Sequence, residues 1–143
     1  MLIGEYSHTI DTKKRLAIPS KLRKELGAKA VITRGLDNCL FIFPIKEWKK
    51  LVDKLSALPF GEKNSRSFVR LMLAGATEVT LDKLGRILVP DYLKTYAQLK
   101  KNVVIAGVHS RMEVWDKEKW ELFKKQSEKE VNVMAERLGE LGV

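Results

Sequence analysis

The chain repeats itself, and the repeat limits its folds more than any other property. Asp11-Thr12-Lys13-Lys14-Arg15 returns 71 residues later as Asp82-Lys83-Leu84-Gly85-Arg86. Each copy follows Thr and an aliphatic residue (Thr9-Ile10, Thr80-Leu81) and precedes an apolar triplet and a proline (Leu16-Ala17-Ile18-Pro19, Ile87-Leu88-Val89-Pro90). Leu22 with Leu93, Gly35 with Gly107 and Trp48 with Trp120 keep nearly the same offset, which places one extra residue near Lys100-Lys101. A unit of about 70 residues buries only a modest share of its surface, so two copies are expected to share a core.

The local patterns predict the same element order twice: strand, five-residue loop, strand, short helix, hairpin, longer helix. Residues 4–10 read as a strand and Arg15–Ile18 as its return, a hairpin that Pro19 ends because proline has no amide to donate. Ser20 is placed to cap a helix over Lys21–Leu26, and Gly27 to stop it. Ala30–Thr33 and Cys39–Phe43 flank a turn-forming stretch and predict a second hairpin. Five apolar residues at 39–43 imply a strand covered on both faces. Ile45, Trp48, Leu51, Val52 and Leu55 follow a helical period over Ile45–Leu58. A connecting helix is expected over residues 64–74.

The pattern then restarts with a strand over Ala76–Leu81, the second loop and a return strand Arg86–Val89. A helix capped by Asp91 runs to about Ala97. Val103–Ala106 and Met112–Trp115 form the last hairpin. The final helix starts near Asp116 and outlasts its counterpart, carrying a stripe at Val131, Met134, Leu138 and Leu141 that reads as a packing seam. The seam suits folding against its own half or a neighbouring subunit. Trp48, Trp115, Trp120, Phe41 and Phe43 read as core. The division expected is a first module over 1–58, a connecting segment with a helix over 59–75, and a second module over 76–143.

Composition adds direction. The net charge is +9, but residues 11–34 hold eight Lys/Arg against only Asp11 and Glu25, whereas 112–143 are slightly acidic. This asymmetry fits one face that meets a polyanion. No apolar run approaches the roughly 20 residues of a membrane span, and the N-terminal residues do not look like a signal peptide. Cys39 is the only cysteine, so no disulfide forms within one chain and a reducing cytoplasm is expected. His8 and His109 stand alone, with no metal-ligand spacing, and no phosphate-binding or dinucleotide-binding glycine pattern occurs. The expectation is a protein that is not an enzyme and needs no cofactor or metal.

Thr80-Leu81-Asp82-Lys83-Leu84-Gly85-Arg86-Ile87-Leu88-Val89-Pro90 resembles the looped hairpin of AbrB/MazE-type swapped-hairpin DNA-binding modules. Two such modules joined by a segment like that at 66–79 closely resemble the bacterial MraZ family, in which both modules carry Asp-x-x-x-Arg. The resemblance covers essentially the whole chain. It implies an α+β fold with a mainly β core, two tandem modules interleaving into one pseudo-twofold, β-barrel-like unit with helices around it. It also implies a ring-shaped homo-oligomer, an octamer or dodecamer, in the cytoplasm and at the nucleoid. The implied role is a transcriptional regulator whose partner is double-stranded DNA, at short repeats upstream of its own gene in a division and cell wall gene cluster. One position departs from the family: glycine usually precedes the motif arginine, as Gly85 does, but the first copy has Lys14. If that position needs a positive φ, lysine costs about 1 kcal/mol there.

Arginine offers a planar fork for phosphate or for guanine O6/N7, so Arg15 and Arg86 are the candidate base readers. Asp11 and Asp82 can hold their own loops in shape or pair with these arginines; an ion pair that only braces a turn is the competing reading. Lys13, Lys14, Lys21, Arg23, Lys24 and Lys83 suit phosphate contacts, which supply affinity without sequence information. The denser charge around the first loop predicts that it contributes more binding energy than the second. Arg34 fits either the same patch or a subunit interface, and Arg66 and Arg70 fit salt bridges at least as well as DNA. The competing function is a ring-forming interaction or antitoxin-like protein that does not read an operator, and binding of RNA is a third reading.

Overall fold

Continuous apolar runs in the central strands give one sheet two apolar faces, which the helices and a small ribbon cover. The structure, a computed structural model, describes residues 1–143. Its elements are β1 (Leu2–Thr9), β2 (Arg15–Ala17), α1 (Ser20–Leu26), β3 (Lys29–Arg34), β4 (Leu40–Pro44), α2 (Ile45–Ser56) and α3 (Lys63–Ala74). The second half supplies β5 (Thr77–Thr80), β6 (Arg86–Leu88), α4 (Asp91–Tyr96), β7 (Asn102–His109), β8 (Met112–Asp116) and α5 (Lys117–Gly139).

Six strands form an antiparallel sheet in the order β1-β7-β8-β4-β3-β5, and β2 pairs with β6 in a separate two-stranded ribbon. This corrects two expectations. The sheet is open, with β1 and β5 at its edges, and does not close into a barrel. Nor do the strands flanking each motif loop form a hairpin: Ile10 and Leu16 share a single bridge, after which β1 pairs with β7 and β2 with β6. Each half thus lends its first strand to the hairpin of the other, since β5 pairs with β3. Strand pairing depends on which apolar faces meet, and adjacency in sequence could not show that. The hairpins expected at β3–β4 and β7–β8 are present.

The two halves are related by a pseudo-twofold axis. In the ribbon Leu16 pairs with Ile87, while Arg15–Leu88 and Ala17–Arg86 are equivalent pairs under the 71-residue offset. In the sheet the same relation runs through Phe41 and Glu113, flanked by Leu40–Val114 and Ile42–Met112. The main core of 20 buried residues draws on both halves, with Leu16, Ile18, Leu22 and Leu26 of the first against Ile87, Val89, Leu93 and Ala97 of the second. On the opposite face Cys39, Phe41, Phe43, Leu55, Met72 and Trp115 form a second cluster under α2 and α3, with Trp48 and Trp120 partly buried against it. β4 is therefore covered on both faces, as its run of apolar residues required.

Several local expectations shift. Pro19 and Pro90 occupy the N-cap positions of α1 and α4, without side-chain caps, so Ser20 and Asp91 are the first helical residues. Proline's fixed φ suits the entry into a helix, and neither serine nor aspartate is needed to turn the chain. The side chain that does cap a helix is Glu62, which accepts from the amides of Asn64 and Ser65 at 3.0 and 2.6 Å. α5 packs at its start, where Phe123 stacks on Trp115, Trp120 meets Trp115 edge-on and Lys124 pairs with Glu5 at 3.1 Å. Beyond that turn it leaves its own half: Val131, Met134, Leu138 and Leu141 are exposed. The stripe is not folded against this chain. No helix is long and apolar enough to cross a membrane.

Candidate nucleic-acid interface

The two motif loops have the same internal wiring. Asp11 Oδ1 accepts from the amides of Lys13 and Arg15, both at 2.9 Å, and Asp82 Oδ1 accepts from those of Leu84 and Arg86, both at 2.9 Å. The second carboxylate oxygen takes the Nε–H of the arginine, 2.8 Å from Arg15 to Asp11 and 2.8 Å from Arg86 to Asp82. The backbone closes each turn identically, with Lys14 N donating to Asp11 O at 3.0 Å and Gly85 N to Asp82 O at 2.9 Å. An acid, three residues and an arginine is the spacing at which one carboxylate can satisfy both the turn and the guanidinium. Arg15 and Arg86 are each held by Nε alone, so their terminal Nη groups keep donors for a ligand.

The departure at Lys14 leaves the loop shape unchanged. Lys14 has φ 64° and Gly85 has φ 74°, so the first loop carries the strain of a left-handed non-glycine residue. Lys14 Nζ in turn reaches Asp91 Oδ2 of α4 at 2.6 Å. The equivalent place over the second loop is filled differently: the Arg23 guanidinium of α1 lies against Gly85, where a Cβ would collide with it. Arg23 Nε also donates to Ile18 O at 2.8 Å. Each loop is thus backed by the helix of the other half. The cross-links Ile18 N to Gly85 O and Val89 N to Lys14 O, both 2.9 Å, complete that exchange.

The swap redistributes the charge. Arg23 of α1 lies beside the second loop, while the first loop's Lys14 is paired with Asp91. Lys13, Lys21, Lys24 and Lys83 are exposed, whereas Arg23 is half-buried and committed to Ile18. Two of the cations clustered around the first motif in sequence, Lys14 and Arg23, are therefore engaged in loop contacts.

The ribbon aligns the two arginines. Leu16, Ile87 and Val89 point into the core, so the opposite face of β2–β6 carries Arg15, Ala17, Arg86 and Leu88. Arg15 and Arg86 sit diagonally across two neighbouring strands, a separation of about 7 Å for such pairs. A two-stranded ribbon fits the major groove of B-DNA, and this one brings two forked donors to the same exposed face. That both arginines share one face of a single ribbon was not visible without the strand pairing. Three other basic residues are structural. Arg34 donates to Leu71 O at 3.0 Å and lies by the rings of Tyr92 and Tyr96. Arg66 donates to the carbonyls of Phe60 and Gly61. Arg111, which the sequence did not single out, pairs with Glu113 and covers Phe41. No group of His, Cys, Asp and Glu is arranged to hold a metal ion.

The loop hydrogen bonds hold the Asp11 and Asp82 carboxyls below the usual aspartate range, the bond from the arginine amide contributing most in each. A lowered folded value stabilises the fold above the ordinary aspartate range, and that contribution disappears as pH falls through the lowered value. Wild-type stability relative to a D11N/D82N variant is thus expected to be constant from pH 7 to pH 5 and to shrink below about pH 4. Urea midpoints of both proteins across this range check it. A gap that stayed constant to about pH 2 would show that the carboxylates do not hold the loops.

The family model described as "MraZ protein, putative antitoxin-like" matches residues 1–71 and again 72–140. Among curated proteins, the chain is 49% identical over its full length to the full-length "Transcriptional regulator MraZ" of Clostridium acetobutylicum. It is 50% identical, again over the whole of both chains, to the protein of that name in Acetivibrio thermocellus. Identity to the one in Carboxydothermus hydrogenoformans is 54% over 120 residues, 84% of each chain.

Proposed function

Because the chain belongs to the MraZ family over nearly its whole length, we propose that it is a transcriptional regulator that binds double-stranded DNA through the β2–β6 ribbon. The observation that carries the reading is the ribbon face itself, where Arg15 and Arg86 stand side by side with free Nη donors. Asp11 and Asp82 fix the two guanidiniums and do not touch bases. Lys13, Lys21, Lys24 and Lys83 contact phosphates, with Lys14 and Arg23 shaping the loops as much as adding charge. The target is a set of short repeats upstream of the protein's own gene in a division and cell wall gene cluster. A ring-shaped homo-oligomer, an octamer or dodecamer, would present several ribbons to several repeats, raising effective concentration without any new contact. The site of action is the cytoplasm, at the nucleoid, and no step of this role requires a cofactor or an enzymatic reaction.

The exposed stripe of α5 favours a second reading, a ring-forming interaction or antitoxin-like protein in which that helix engages another protein and the basic face reads no operator. Footprinting on the DNA upstream of the gene separates the two. Regularly spaced short protected segments are expected, with affinity falling steeply as salt rises because phosphate contacts release counterions. Uniform coating or no protection would overturn operator reading.

A further inference from the structure

The outer face of the ribbon is pseudo-symmetric in its arginines but not in what stands beside them. Leu88 lies directly opposite Arg15 and is 61% exposed, whereas its counterpart opposite Arg86 is Ala17. At the loop tips, Leu84 is 63% exposed where the first loop has Lys13. Single exposed leucines are ordinary on a protein surface. Here Leu88 shares the ribbon's outer face with two arginines and an alanine, and Leu84 stands exposed in the loop that leads into the same strand.

Resting on the DNA-binding reading above, we propose that Leu88 and Leu84 are specificity-determining residues that contact the 5-methyl groups of thymines beside the bases that the arginines read. The chemistry is that of the major-groove edge, where the thymine methyl is the apolar feature that distinguishes a T·A pair. The dimensions agree. Directly opposed residues in an antiparallel pair have Cβ atoms about 5 Å apart, and successive bases rise about 3.4 Å per strand. Leu88 therefore falls within one or two base steps of the base that Arg15 contacts. Ala17, being short, makes no equivalent contact beside Arg86, so the ribbon is sensitive to methyl groups on its Arg15 side and at the Leu84 tip.

The test uses full-length protein and a duplex selected by it from a random-sequence library. Each thymine is replaced in turn by deoxyuridine, which lacks only the methyl group, and affinity is measured by fluorescence anisotropy at fixed salt. For wild type, one or two positions should each lose about fourfold on methyl removal, the magnitude for one buried methylene-sized group. L88A should bind the thymine duplex about that much more weakly and then be indifferent to deoxyuridine at the affected position. L84A should do the same at a different position. Wild-type binding that is unchanged by deoxyuridine everywhere would overturn the proposal, as would equal deoxyuridine losses in wild type and both variants. A sizing column run alongside has a defined meaning: if L88A changes only the oligomeric state, the leucine is a protein contact and the proposal fails. R15A keeps the two levels apart, because its loss of binding with no methyl effect would sink this inference alone. Indifference to R15A as well would sink the DNA-reading face with it.

Discussion

Arg15→Ala is expected to weaken binding to the upstream DNA by about 5- to 150-fold at fixed salt, and Arg86→Ala by a similar factor. The range corresponds to the roughly 1–3 kcal/mol that a bidentate base contact supplies. Near equality follows from the wiring of the site. Both guanidiniums are held at Nε by an aspartate at 2.8 Å. Both belong to one ribbon face, and they are similarly accessible, at 31% and 26%. Sequence density alone favours the first loop, but the strand swap sets Arg23 of α1 against the second loop and pairs Lys14 with Asp91. Lys13→Ala or Lys24→Ala should instead lower affinity evenly across sequences and reduce the salt slope by about one. Anisotropy titrations of the single variants against operator and scrambled duplexes give both quantities. A loss below twofold for either arginine would remove it from base reading. A tenfold excess for Arg15 would restore the view that local charge around the first loop decides affinity.

Much of this site could be read from residues in order, and the limit was set by pairing. The Asp-x-x-x-Arg spacing announced a repeated loop because both the turn amides and the guanidinium need one carboxylate, and that information is local. The run at 39–43 announced a strand buried on both faces, since no exposed side would tolerate Phe41 and Phe43 together. The helix periods expected over Ile45–Leu58 and 64–74 were also legible, and the helices run over Ile45–Ser56 and Lys63–Ala74. What residue order alone did not show was non-local, and only the family resemblance implied that the halves interleave. That β1 belongs with β7, and β2 with β6, depends on a shared core in which Leu16 meets Ile87 from a distant part of the chain. The open sheet, the common face of the two arginines and the cover of Gly85 by Arg23 all follow from that exchange. Lys14 illustrates a subtler limit. Its φ of 64° is the left-handed conformation that the departure from glycine put in question, held in a loop whose carboxylate wiring matches the second copy.

Leu16→Ala is expected to destabilise the whole chain by about 3–5 kcal/mol, and to do so without splitting unfolding into two transitions. Leu16 is fully buried, lies on the pseudo-twofold axis opposite Ile87, and belongs to a core built from both halves. Its loss leaves a cavity that neither half can close alone, because β1 is held by β7 and β5 by β3. A folded domain of this size typically retains only about 5–15 kcal/mol of net stability, so the variant gives up a large fraction of it. Denaturation followed by tryptophan fluorescence, which reports on the second cluster through Trp48, Trp115 and Trp120, and by circular dichroism should give coincident curves. Leu122→Ala, at an exposed position on α5, should stay within about 0.5 kcal/mol of wild type. Separate transitions would mean that the halves fold independently, and a loss below about 1 kcal/mol would mean that the ribbon is peripheral to the core. If the large, single-step loss is found, stability and recognition have one origin. The packing of Leu16 against Ile87 that joins the halves is also what sets Arg15 and Arg86 on one face at a fixed separation.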